Sequence, residues 1–210
     1  GKTDSNGDYS VKLDVPQKNG ETVTVTASDA GGKSPATNAQ APDLTPPNAP
    51  TATVDQTTGE VVTGKAQPNS DIEVKDATGK VIGTGKTDSN GDYSVKLDVP
   101  QKNGETVTVT ASDAGGKSPA TNAQAPDLTP PNAPTATVDQ TTGEVVTGKA
   151  QPNSDIEVKD ATGKVIGTGK TDSNGDYSVK LDVPQKNGET VTVTASDAGG
   201  KSPATNAQAP

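Results

Sequence analysis

One run of 84 residues is written two and a half times in this chain of 210, with no substitution between the copies. Gly1-Lys2-Thr3-Asp4-Ser5-Asn6-Gly7-Asp8-Tyr9-Ser10 returns at Gly85 and again at Gly169. A fixed period of this kind marks an array, in which one folding unit is strung many times. It argues against an enzyme, because a catalytic site needs a single asymmetric constellation and gains little from identical tandem copies. Identity suits a part selected for number, so the pattern reads first as a length of spacer.

Composition narrows the chemistry further. Hydrophobic residues make up 27% of the chain, and its only aromatic side chains are Tyr9, Tyr93 and Tyr177. Cys, Met, Trp, Phe, His and Arg are all absent. Without Cys there are no disulfides or thiolate metal sites, and without His zinc chemistry loses its usual ligands. Ser-His-Asp and Cys-His catalysis lack their base. No run of about 18 apolar residues exists, so the sequence predicts no membrane insertion. The lack of an initiator Met and of any apolar targeting segment predicts an internal piece of something longer. The net charge of −9, without Arg, repels phosphate backbones and argues against nucleic acid as a partner.

The chain begins in mid-unit. Ala-Pro-Asp-Leu-Thr-Pro-Pro-Asn-Ala-Pro, at 41–50 and again at 125–134, carries four prolines in ten residues and favours stiff, extended backbone. Cutting there predicts the C-terminal half of a repeat over 1–42 and two complete repeats over 43–126 and 127–210. The half-unit lacks the strands it needs to fold stably alone. Within 43–126, segments with period-two alternation recur about every ten residues, split by turn signals. They are Thr51–Asp55, Glu60–Ala66, Asp71–Lys75, Lys80–Lys86, Asp92–Asp98, Glu105–Ser112 and Lys117–Ala123. The facing of Val81 and Ile82 is ambiguous, and Pro119 marks the last segment as an edge. No segment shows a useful 3.6-residue apolar stripe. The expected fold is all-β: tandem immunoglobulin-like two-sheet sandwiches of about seven strands, joined by short Pro-rich linkers.

Several strings strengthen that reading. Val62-Thr63-Gly64-Lys65-Ala66-Gln67-Pro68-Asn69-Ser70, Ile72-Glu73-Val74 and Asn90-Gly91-Asp92-Tyr93-Ser94-Val95 resemble the bacterial immunoglobulin-like repeat. So do Val107-Thr108-Val109-Thr110-Ala111-Ser112-Asp113-Ala114-Gly115-Gly116-Lys117-Ser118 and the opening Pro-Asn-Ala-Pro. The resemblance covers all three copies. Such repeats fill the stalks of biofilm-associated proteins and other giant bacterial surface adhesins. It implies an extracellular fibre at the bacterial cell surface, exported unfolded, that extends a tip domain and supports adhesion and biofilm formation. The alternatives are a self-associating biofilm-matrix fibre or a multivalent glycan- or protein-binding repeat. The expected partners are the neighbouring identical repeats and, through self-association, further copies.

Chemistry is expected, if anywhere, where repeats join. Loops 67–71, 88–92 and 113–117 should meet at the pole where the chain enters a repeat, beside linker residue Asp43. At the second linker the equivalent oxygen ligands are Asp98, Asp127, Asp155 and Asp197, a candidate Ca²⁺ set, since calcium takes six to eight oxygens on loops. Related adhesin repeats use calcium to stiffen linkers, which raises this expectation, although Asp is also an ordinary turn residue. Asp88-Ser89-Asn90-Gly91-Asp92 mimics the start of an EF-hand loop, but its sixth and twelfth positions are Tyr93 and Val99, so it reads as a hairpin turn. Gly83-Thr84-Gly85-Lys86-Thr87 ends like a phosphate-binding loop without the required upstream glycine.

Overall fold

A computed structural model describes all 210 residues, as strands and turns with no helix. The chain forms two compact units, residues 1–100 with 106–124 and residues 101–105 with 125–210.

In the first unit, residues 1–42 carry β1 (Thr22–Val25), β2 (Ser28–Asp29), β3 (Gly32–Lys33) and β4 (Thr37–Gln40). The first complete repeat follows with β5 (Thr53–Val54), β6 (Val61–Lys65), β7 (Asp71–Lys75), β8 (Val81–Lys86), β9 (Asp92–Lys96), β10 (Thr106–Asp113), β11 (Gly116–Lys117) and β12 (Thr121–Gln124). One sheet runs β5-β6-β9. The other runs β8-β7-β10, with β11 and β12 both paired to the far side of β10. Every pairing is antiparallel. The second unit repeats the arrangement with β13 (Thr137–Val138), β14 (Val145–Lys149), β15 (Asp155–Lys159), β16 (Val165–Lys170), β17 (Asp176–Lys180), β18 (Thr190–Asp197), β19 (Gly200–Lys201) and β20 (Thr205–Gln208).

Alternation explains the core. In β10 the side chains of Val107, Val109 and Ala111 are wholly buried, while Thr106, Thr108 and Thr110 between them are not. Ile72 and Val74 lie beside them on the neighbouring strand β7, and Val62 and Val95 come from the other sheet, all at 1% exposure or less. The result is the expected immunoglobulin-like sandwich with a small aliphatic interior. The β5 and β12 ends of the two sheets are tied where Thr121 Oγ1 donates to the Pro50 carbonyl.

Two details differ from the sequence reading or go beyond it. The segment read as one last strand, Lys117–Ala123, is interrupted at Ser118–Ala120, which raises the strand count to eight. Pro119 has no N–H to give the ladder, and Ser118 turns inward instead: its N–H donates to the Ala111 carbonyl at 2.8 Å and its Oγ accepts the Ala111 N–H at 2.9 Å. The facing of Val81 and Ile82 is settled by a register shift between Val74 and Lys75, which buries Ile82 and leaves Val81 exposed.

Each complete repeat holds one tyrosine inside. The Tyr93 hydroxyl donates to the Thr51 carbonyl, linking β9 to the start of the repeat across β6. Gly64 on β6 makes room for this bond. A Cβ there would stand 2.0 Å from the Thr51 oxygen and 2.7 Å from Tyr93 Oη. Burial pushes the Tyr93 hydroxyl up to about 12, and Tyr177 is placed in the same way.

Candidate functional site

Prolines set the linker's shape, but its position comes from hydrogen bonds. In the second unit, residues 126–129 lie against the turn at 102–104. Asn103 and Asp127 form an isolated antiparallel bridge, and the Gly104 N–H donates to the Pro126 carbonyl at 3.0 Å. The Leu128 N–H and the Thr129 hydroxyl both donate to the Lys102 carbonyl, at 2.7 and 3.1 Å. From the other side comes the turn between β18 and β19. A Cβ on Gly199 would lie 2.3 Å from the Thr129 carbonyl oxygen, so only glycine allows that turn to close over the linker.

The first unit builds the same joint from the same residues. Asn19 bridges Asp43, Gly20 N–H donates to Pro42, and Leu44 N–H and Thr45 Oγ1 donate to Lys18. Gly115 sits over Thr45 as Gly199 does over Thr129. Residues 42–45 and 126–129 of the Pro-rich stretches are thereby held by hydrogen bonds to the preceding turns.

The expected acids divide among different surroundings. Asp127 and Asp197 come together: partial burial first, then the charge and hydrogen bond of Asp197 and the charge of Glu105, hold the Asp127 carboxyl above its ordinary value. The Thr129 N–H, donating to Asp127 Oδ1 at 3.3 Å, pulls the other way. Asp197 ends β18. Its Oδ1 accepts the Gly199 N–H and its Oδ2 accepts Gln151 Nε2, each at 2.8 Å. Asp155 opens β15 opposite Ser196 and forms an exposed ion pair with Lys170 at 2.7 Å. Asp98 lies in the other unit, where its N–H donates to the Ile82 carbonyl at 2.7 Å.

Gln151 bonds Asp197, and Glu105 acts on Asp127 through its charge alone, although nothing in their local sequence marks them. Glu105 closes its own turn by accepting the Asn103 N–H, and Gln151 reaches Asp197 across 46 residues of chain. Calcium needs a shell of six to eight oxygens. Neither unit gathers three or more carboxylates into a group that could hold an ion. The Asp127–Asp197 pair falls short of that shell by itself.

The two motif-like strings take structural roles. Asp88 Oδ1 accepts the N–H groups of Asn90 and Asp92 at 2.8 and 2.9 Å, and these bonds hold its carboxyl below the usual range. This is a self-sufficient turn between β8 and β9. Gly83–Lys86 lies within β8, where no helix follows to cradle a phosphate.

A search of curated proteins found no match. Among solved structures, the chain is similar to the BSP domain of a biofilm-associated protein, at 21% identity over 77% of this chain and a TM-score of 0.33; the chain spans 29% of that structure's length. It is similar to domains A168–A170 of titin, at 14% identity over 90% of this chain and 73% of that one, with a TM-score of 0.37. A two-domain fibronectin type III segment of chicken tenascin matches at 13% identity, over 78% of this chain and 98% of that one, with a TM-score of 0.32. The sequence profile of the family described as Bacterial Ig domain matches residues 1–43, 46–127 and 130–210. With all three copies accounted for, the chain belongs to the bacterial Ig domain family.

Proposed function

We propose that these repeats form the structural stalk of a bacterial cell-surface adhesin, holding a tip domain away from the cell and so supporting adhesion and biofilm formation. Bacterial Ig domains are structural, non-enzymatic modules. The observation that carries the reading is the joint: the same backbone bonds hold the linker in both units, so every copy meets its linker in the same way. The domain scheme that goes with it is a half-repeat over 1–42 and complete repeats over 43–126 and 127–210. Small-angle scattering on chains of two, four and eight complete repeats tests the proposal. A stalk requires the maximum dimension to grow in proportion to repeat number. Growth that flattens with added copies would mean collapse and would refute it.

Calcium at the joint is a separate proposal, resting on the Asp127–Asp197 pair. If the ion binds there, calcium raises the melting temperature of the chain and chelator removes the gain. The double substitution Asp127→Asn with Asp197→Asn then abolishes the part due to the second joint. An equal melting temperature with and without calcium would end this proposal and leave the stalk reading untouched.

A further inference from the structure

Tension along an array enters each complete repeat before its first strand and leaves after its last, so β5 and β12 take the load first. They belong to different sheets: β5 pairs with β6, and β12 pairs with β10. β5 is two residues long, and it offers β6 only the Thr53–Thr63 and Val54–Val62 pairs. So short a ladder gives little hold of its own.

Side chains join β5 to β12. Thr121 Oγ1 donates to the Pro50 carbonyl before β5, and Gln56 Nε2 donates at 3.1 Å to the Gln124 carbonyl at the end of β12. The second repeat makes the same two bonds, from Thr205 to Pro134 and from Gln140 to Gln208. Residue numbers rise together across the two contacts, from 50 to 56 and from 121 to 124, so the two strands run parallel. The ends that tension pulls, at Pro50 and beyond Gln124, therefore lie at opposite ends of the strand pair. Load slides one strand along the other, and both bonds must fail together before the strands part. The pulled segment has further anchors: the Tyr93 hydroxyl donates to the Thr51 carbonyl, and the Lys65 N–H donates to Thr51 Oγ1 at 2.8 Å.

We propose that each complete repeat is a load-bearing unit whose resistance to tension is set by two side-chain bonds in shear, Thr121 to Pro50 and Gln56 to Gln124. The inference rests on the stalk reading, which supplies the tension. Resistance to tension then differs from stability to denaturant, because a bond of ordinary strength elsewhere lies off the load path. The bond from Thr78 Oγ1 to Asp76 Oδ1, at 2.6 Å in the turn between β7 and β8, is one such.

The test is single-molecule force spectroscopy on the full chain, held by a cysteine added at each end, since it has none of its own. At constant force the two complete repeats should unfold at one common rate, each event releasing roughly 250 Å of chain. Thr121→Val alters the first repeat alone, so the second is the reference within every molecule. One of the two events should then come about fivefold faster, the effect of one ordinary hydrogen bond lost from the unfolding barrier. Thr121→Val with Gln56→Leu should bring it about thirtyfold faster. Thr78→Val should leave both rates in place. Unchanged rates in the Thr121→Val chain, or an equal acceleration by Thr78→Val, would overturn the proposal. Neither result would alter the scattering dimensions that test the stalk itself.

Discussion

Tyr93 is the only aromatic side chain in its repeat, and it both fills the core and bonds the Thr51 carbonyl from inside it. Replacing it with Phe keeps most of the packing and removes the hydroxyl. The expected loss is about 1 kcal/mol, the ordinary net value of one hydrogen bond. The hydroxyl also makes stability depend on alkaline pH. Its proton is held more tightly in the folded chain, with the value pushed up to about 12 from 10.0, so its contribution is complete below pH 10 and is lost as pH rises towards 12. At one pK unit to about 1.4 kcal/mol, the loss is roughly 2–3 kcal/mol per repeat. Denaturant unfolding at pH 8 and pH 11 checks this and should read about half of that loss, about 1.4 kcal/mol per repeat, because pH 11 lies midway between the two values. The chain with Tyr93→Phe and Tyr177→Phe should fall much less between the two. Equal slopes would show that the tyrosines are not linked to folding.

The linker and the turns that clamp it give a second pH effect of the same sign, at the acid end of the range. The Asp127 carboxyl is raised, chiefly by burial and then by Asp197, so the fold favours its protonated form. The joint is therefore tightest in acid, and that stabilisation is lost as pH rises through the titration of Asp127. Asp127→Asn keeps an oxygen for the Thr129 N–H and removes the charge. It should raise the melting temperature at neutral pH, with the gain vanishing in acid where wild-type Asp127 is already neutral; a neutral-pH decrease would contradict the pairing. Elements whose signal is local were readable in advance. Asp71–Lys75 is a strand by alternation alone, and the Asp88 turn follows from its Asx chemistry. The break at Pro119 was readable only as an edge, since it depends on Ser118 meeting Ala111 across a closed turn. The Asp127–Asp197 approach was partly legible from pole assignments. Glu105 and Gln151 were not, because their places depend on how distant loops close.

Across the chain, each complete repeat keeps its own interior. The core of the second is built wholly from residues between Val138 and Ala209. Ile72→Ala, at a site 1% exposed, should cost about 2–5 kcal/mol in the first repeat and leave the second unchanged, so calorimetry should show one shifted transition and one in place. A common shift of both would show that the repeats unfold as one. The joints match as closely as the cores: Asn19 to Asp43 and Asn103 to Asp127 are the same bridge, and Leu44 to Lys18 and Leu128 to Lys102 the same bond. Misaligned crossover between gene copies, in frame and a whole period long, would therefore make a shorter or longer protein with no altered side-chain contact at the splice. Folding exerts no selection against such alleles. Length becomes a heritable trait that can vary from lineage to lineage.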